Sequence, residues 1–197
     1  MEFLLNEYGY ITNYLVSGRK DTPFSSNISH KNQLICEKLM RQEVADHNEA
    51  MPEGAIALGK ISALGLPWEY DYTYGSWFVD RSTFYPLLTK VELHGATVLR
   101  ANEEMEADIW LWSYGAVDVW VNETFVEGIE TPVYKPINRK ILKVSLKKGD
   151  NLIYIRLQNL GVRDTRSLFG IQIPGEERKN LTVTLYMQKW ETGFLIL

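Results

Sequence analysis

Three β-type segments follow one another between Asp108 and Asn159, and this stretch limits the possible folds more than any other part of the chain. Asp108-Ile-Trp-Leu-Trp-Ser-Tyr114 alternates in character from residue to residue. Val117-Asp-Val-Trp-Val-Asn122 repeats the alternation one short Gly115-containing turn later, and Leu146-Lys-Lys-Gly-Asp-Asn151 turns the chain into Leu152-Ile-Tyr-Ile-Arg-Leu157. A period of two residues belongs to half-buried strands, so the segments read as half of a two-layered β-sandwich. Turn residues cut the rest into short β-prone pieces: Tyr8 to Val16, Trp68 to Tyr74, Trp77 to Val79, Lys90 to Arg100, Lys140 to Val144, Phe169 to Ile173 and Leu181 to Tyr186. Many short strands separated by turns predict an all-β sandwich, not alternating βα units. The one helix expected runs from Lys31 to Val44, with Leu34, Ile35, Leu39 and Val44 on its apolar face and Ser29 as N-cap.

With 197 residues, no repeat, no linker and no low-complexity tract, one domain is the economical reading. We divide it into an extension over 1–60, holding the first strand and the helix, and a sandwich core over 61–190. The apolar ending Gly193-Phe-Leu-Ile-Leu197 leads us to expect the N-terminal part of a longer protein. One cysteine, Cys36, leaves no internal disulfide or thiolate-rich metal site. A net charge of −4 without a basic cluster argues against nucleic acid as a partner. The acidic start Met1-Glu-Phe-Leu-Leu-Asn-Glu7 is unlike a signal peptide, and no apolar run approaches the roughly 18 residues that span a bilayer. We therefore expect a cytoplasmic, bacterial protein with no membrane partner.

The segment Val117-Asp-Val-Trp-Val-Asn122 with Val126, the connection Thr131-Pro-Val-Tyr-Lys-Pro136, and Leu146 to Leu157 stand in the order and spacing of a known pattern. They resemble the galactose-binding-like jelly roll found as the N-terminal sugar-binding or accessory domain of many bacterial glycoside hydrolases. The match covers about residues 90 to 186, and departs at Glu123, where that family usually has glycine in the hairpin turn. Tyr10-Ile-Thr-Asn-Tyr-Leu-Val-Ser-Gly18 is similar to the opening strand of multidomain proteins that begin with such a module, with Arg19 in place of a proline. The resemblance implies a jelly-roll β-sandwich with a short N-terminal helical extension. It also implies a non-catalytic carbohydrate-binding or accessory module, whose partner is a sugar or a neighbouring catalytic domain. A structural or protein-interaction spacer is the alternative, and a stand-alone glycoside hydrolase is the third reading.

Trp68-Glu-Tyr-Asp-Tyr-Thr-Tyr-Gly-Ser-Trp77 is the densest aromatic segment, and alternation puts Trp68, Tyr70, Tyr72 and Tyr74 on one face with Glu69, Asp71 and Thr73 opposite. Rings beside carboxylates suit a sugar site, because pyranose C–H faces stack on aromatics while hydroxyls bond to acids. The same row also suits a core with the acids in water. These four rings, Trp77, and the loop residues Arg163, Asp164 and Arg166 form the candidate ligand-binding set; the loop ions serve equally well to pin the loop. Trp110, Trp112 and Tyr114 share a face and read as core. Of the carboxylates available for hydrolysis, Glu69, Asp71, Asp80, Glu103, Glu104 and Asp118, none sits in a catalytic motif. His30, His47 and His94 are scattered and no phosphate loop is present, so no catalytic residue, metal or other cofactor is expected.

Overall fold

The computed structural model describes residues 2–24, 33–73, 75–130 and 137–186. Among the described residues eleven strands appear in chain order: β1 Asn13–Pro23, β2 Trp68–Tyr72, β3 Val79–Asp80, β4 Thr83–Ala101, β5 Met105–Tyr114, β6 Ala116–Val121, β7 Thr124–Ile129, β8 Asn138–Leu146, β9 Gly149–Thr165, β10 Leu168–Gln172 and β11 Leu181–Thr184. They form two antiparallel sheets, as the alternating pattern predicts. The large one is seven-stranded, in the order β2-β1-β4-β9-β6-β7 with β11 beside the end of β4; the small one is four-stranded, β3-β10-β5-β8. The first strand lies inside the large sheet, between β2 and β4.

The core between the layers comes from one parity of each strand. Tyr14, Val16, Leu93, Leu99, Val117, Val119, Ile153, Ile155 and Leu157 face Ile109, Leu111, Leu142, Val144, Phe169 and Ile171. Close packing dictates Gly95: a methyl group there would stand 2.3 Å from the Phe169 ring.

The opposite face of the large sheet is buried too. Leu15, Ala96, Trp120, Leu152, Tyr154 and Trp68 form a second cluster, capped by Met51, Ile56 and Leu58 of the polar-looking stretch before β2. A third cluster packs Leu39, Met40 and Val44 on Leu88, Ala116 and Leu160. These three belong to α1, Gln33–Leu39, and the π-helical turn Met40–Val44 that follows it. Leu34, 77% exposed, and Ile35 do not share the expected apolar face. The packed face instead runs through Leu39, Met40 and Val44, because the wider final turn shifts the helical phase. Ser29 lies outside the described residues. Among the described residues, no helix is long and apolar enough to cross a membrane.

Candidate functional site

The expected ligand-binding residues fall in three separate places. Trp68 is 1% exposed, and its indole Nε1 donates to the Ala55 carbonyl at 2.6 Å. Its ring meets Tyr154 edge-on at 6.0 Å, so it is a core residue and has no open face for a ligand. Tyr70 and Tyr72 are exposed on the same side of β2. The Tyr70 hydroxyl donates to Asn13 Oδ1 at 2.6 Å, and burial, with the Tyr72 phenol and the Asp71 charge, raises its pKa. Tyr74 lies outside the described residues. Opposite them Asp71 pairs with Arg81 at 2.5 Å. The row is thus half cap and half edge, since residues before β2 cover only its Trp68 end.

Arg163 and Asp164 are not in a free loop. β9 continues through them, pairing Tyr85 with Arg163 and Phe84 with Asp164. Thr165 holds the end of this strand: its hydroxyl accepts from the Val162 N–H at 2.6 Å and donates to the Val162 carbonyl at 3.0 Å.

Trp77 and Arg166 lie on the open face of the small sheet, where the largest group of accessible rings is gathered. Along β5 the inward residues are Ile109, Leu111 and Ser113; Trp110, Trp112 and Tyr114 point outward and are only half-buried, not core as their alternation alone had suggested. Register sets what stands beside them: Trp110 lies between Gln172 and Ile141, Trp112 between Gly170 and Arg139. Gln172 accepts from the Trp112 indole N–H at 3.1 Å and donates to the Tyr8 carbonyl at 2.9 Å. Phe78 fills the space over Gly170, where a methyl group would stand 2.5 Å from its ring.

The chain before β1 completes this face. Gly9 and Ile11 bond to Ile173 and Ile171, which sets Tyr10 beside Gln172 with its ring outward. Trp77, 41% exposed, stacks on Tyr10 with centroids 5.1 Å apart and planes 17° from parallel, and Tyr8 tilts against it at 5.3 Å. Burial raises the Tyr10 phenol, so it stays neutral. Trp77 holds a backbone φ of 63°, a strained value for a bulky residue and one found more often where function fixes a side chain. Two guanidinium groups border the rings. Arg139 stands 4.3 Å from the Trp110 centroid and 5.4 Å from that of Trp112, and Arg166 stands 5.8 Å from Tyr114.

The sequence did hold a signal for this face. Glu106 and Asp108 share the parity of Trp110 and Trp112, and a carboxylate on a row marks it as the solvent side. Tyr8, Tyr10, Arg139 and Gln172 join the site only through pairing between distant segments, which no local pattern encodes.

A second concentration of polar groups lies on the capped face of the large sheet. Asp118, 1% exposed, accepts from Arg156 at 2.6 Å and stands 2.7 Å from the His47 ring at Nδ1. Arg156 also donates to the Asp46 carbonyl at 2.5 Å, and Gln158 to the Asp46 carboxylate at 2.7 Å. The network binds residues 46 and 47 to β6 and β9. A cleft of about 200 Å³ between His47, Asp118, Glu127 and Lys140 opens beside it. Asp118 is committed to ion pairing there, and among the described residues no three metal-ligating side chains converge.

No protein-family model and no curated protein matches this chain. Solved structures do. The chain is similar to a β-glucosidase from Kluyveromyces marxianus in complex with glucose (13% identity, TM-score 0.39), covering 64% of this chain and 16% of that one. It is also similar to the epithelial adhesin 9 A domain from Candida glabrata in complex with Galβ1-3GlcNAc (10%, TM-score 0.38, 94% of both chains). A family 29 carbohydrate-binding module complexed with mannohexaose is more distant in backbone (15%, TM-score 0.26, 67% of this chain and 90% of that one).

Proposed function

We propose that this chain is a non-catalytic carbohydrate-binding module of the galactose-binding-like jelly-roll type, and that sugars dock on the outer face of the small sheet. The observation that carries this reading is the open aromatic surface of Tyr8, Trp77, Trp110, Trp112 and Tyr114, supported from behind by a packed core and edged by Gln172 and Arg139. Amphipathic rings on a rigid sheet stack on the C–H faces of pyranoses at small entropic cost, and the polar edge groups bond to hydroxyls. Rings set on strands keep their spacing without a ligand, so the site is preorganised. A single site of this kind is worth about 4 kcal/mol, a millimolar affinity.

Calorimetric titration with neutral and acidic oligosaccharides tests the proposal. Trp112→Ala and Trp77→Ala should each weaken binding about tenfold or more, while Tyr72→Ala, on the other sheet, should leave it unchanged. No heat from any glycan with the wild-type protein would remove the sugar-binding reading. An accessory role beside a catalytic domain is the second reading, and it rests on exposed Phe84 and Leu87, which line a shallow cleft with Pro23 and Pro86 at the start of β4. Phe84→Asp should then weaken association with the catalytic domain of the parent protein and spare glycan binding.

A further inference from the structure

The aromatic face is cationic at one end, in a protein whose net charge is −4. Four other arginines are matched with carboxylates: Arg19 with Asp21, Arg81 with Asp71, Arg100 with Asp150 and Arg156 with Asp118. Arg139 and Arg166 combine the lack of such a partner with a place on the aromatic face. Among the described residues neither has a carboxylate within ion-pair distance, and each lies against outward rings of β5. Arg139 stands directly opposite Trp112, and Tyr114, which carries Arg166, is one two-residue step further, about 7 Å along the strand. Of the acids of this face, Glu106 is bonded to Ser145 and Asp108 stands opposite Lys143 at the other end, while Asp80, on the edge strand in the row of Tyr114, accepts from the Ser82 N–H at 2.8 Å.

Packing against an aromatic face uses the flat side of a guanidinium. Its N–H groups lie in the plane and remain free to donate outward, in the fork geometry that fits a carboxylate or sulfate. The contact with the rings also limits the rotamers of the arginine, so less freedom is lost when an anion arrives. A neutral sugar needs no such pair of unneutralised cations, which in the absence of an anion only repel one another.

Resting on the sugar-binding reading above, we propose that the ligand is an acidic glycan: sugar rings stack along Trp110, Trp112 and Tyr114 while the anionic group of a sugar unit is held by Arg139 and Arg166. The shared chemistry is a pyranose bearing a carboxylate or a sulfate. Titrations with oligogalacturonate, a sulfated galactan oligosaccharide, a neutral galactan oligosaccharide of matched length and polyglutamate, each at low and at physiological salt, separate the possibilities.

One or both acidic glycans should bind at least tenfold more tightly than the neutral one, and the preferred one names the anion. Arg139→Gln and Arg166→Gln should each weaken the acidic glycans far more than the neutral one, so that most of that preference is lost. Trp112→Ala should abolish binding of both kinds. Equal affinity for neutral and acidic glycans would overturn the inference and leave the sugar site standing. Binding of polyglutamate as tight as the acidic glycans would overturn it as charge attraction alone, and silence from every glycan would remove both readings. Both arginines are exposed, so their variants should fold, and unchanged thermal melting verifies that the losses are local.

Discussion

Asp118 is the residue on which the capped face most depends. Its carboxylate is buried against Arg156, and Trp120 stands 5.7 Å from the same guanidinium, so removing the acid leaves a buried cation in a partly aromatic setting with only the solvent-exposed Asp46 carboxylate, 3.2 Å away, as counter-charge. Breaking a buried pair from one side costs on the order of 3 kcal/mol, because the remaining charge keeps its desolvation penalty. Asp118→Ala should therefore lower unfolding free energy by about that amount, and the double variant Asp118→Leu, Arg156→Met should recover a good part of it. Urea denaturation of the three variants decides the matter; a loss below about 1 kcal/mol in the single variant would mean that water reaches the pair. At this scale the sequence was legible only in part. Trp77 and Arg166 could be nominated from their chemistry, and they do lie on the aromatic face. Trp68 could not be told from a binding ring, because what buries it is a segment whose composition reads as polar loop and whose Met51, Ile56 and Leu58 give no periodic signal. The Arg156–Asp118 pair was invisible for a related reason: two alternating strands each contribute one charge to a face that looks solvent-exposed until residues 46–58 are laid over it.

Among the elements, the strands were the most legible, because turn residues and period-two alternation are local properties. Their ends were not. β4 begins at Thr83 although Pro86 interrupts its pattern, and the ladder absorbs the break in a register shift between Tyr85 and Thr89. β9 runs on to Thr165 since β4 offers it a partner for its whole length. The β6–β7 hairpin joins sequence to geometry most directly. Asn122 and Glu123 hold φ of 51° and 67°, the left-handed pair of a type I′ turn. Asn122 suits its place, since its side-chain carbonyl accepts from the Leu152 N–H at 3.1 Å and its amide donates to Asn151 at 2.9 Å. Glu123 is a β-carbon in a conformation that glycine adopts freely. Glu123→Gly should stabilise the protein by about 0.5–1 kcal/mol, the relief of left-handed strain less the greater freedom of glycine in the unfolded chain. That corresponds to a rise in Tm of about 2 °C for a chain of this size, and calorimetry that finds no rise would mean the turn is not strained by its glutamate.

In the whole molecule the two sheets have different outer faces, and this asymmetry assigns their tasks. The large sheet is covered by the helix and by residues 46–58, so its outward polar groups act on stability. The small sheet is open, and its outward groups are the ones that the proposed function gives to a ligand. Acid should separate the two. His94 lies on the covered face, with its Nδ1 2.6 Å from the Tyr154 hydroxyl and its Nε2 3.5 Å from Glu92. Burial lowers its pKa, helped by the charges of Arg156 and Lys20, and Glu92 opposes the shift without reversing it. The neutral ring is therefore the native form, and between its lowered folded value and the ordinary value of about 6.5 the unfolded chain binds more protons than the folded one. The stability from this group is complete above pH about 6.5 and is lost as the pH falls through the folded value. Unfolding free energy should thus decline below neutrality, and in His94→Gln that part of the slope should vanish, whatever the absolute stability of the variant. The described face of the small sheet carries no histidine, so glycan affinity of the folded protein should stay level from pH 7 to about 6, before the carboxylates titrate. A wild-type stability that did not respond to pH below 7 would place His94 in water. An affinity that fell together with stability would mean that the two faces are coupled through the core, and not independent as their packing implies.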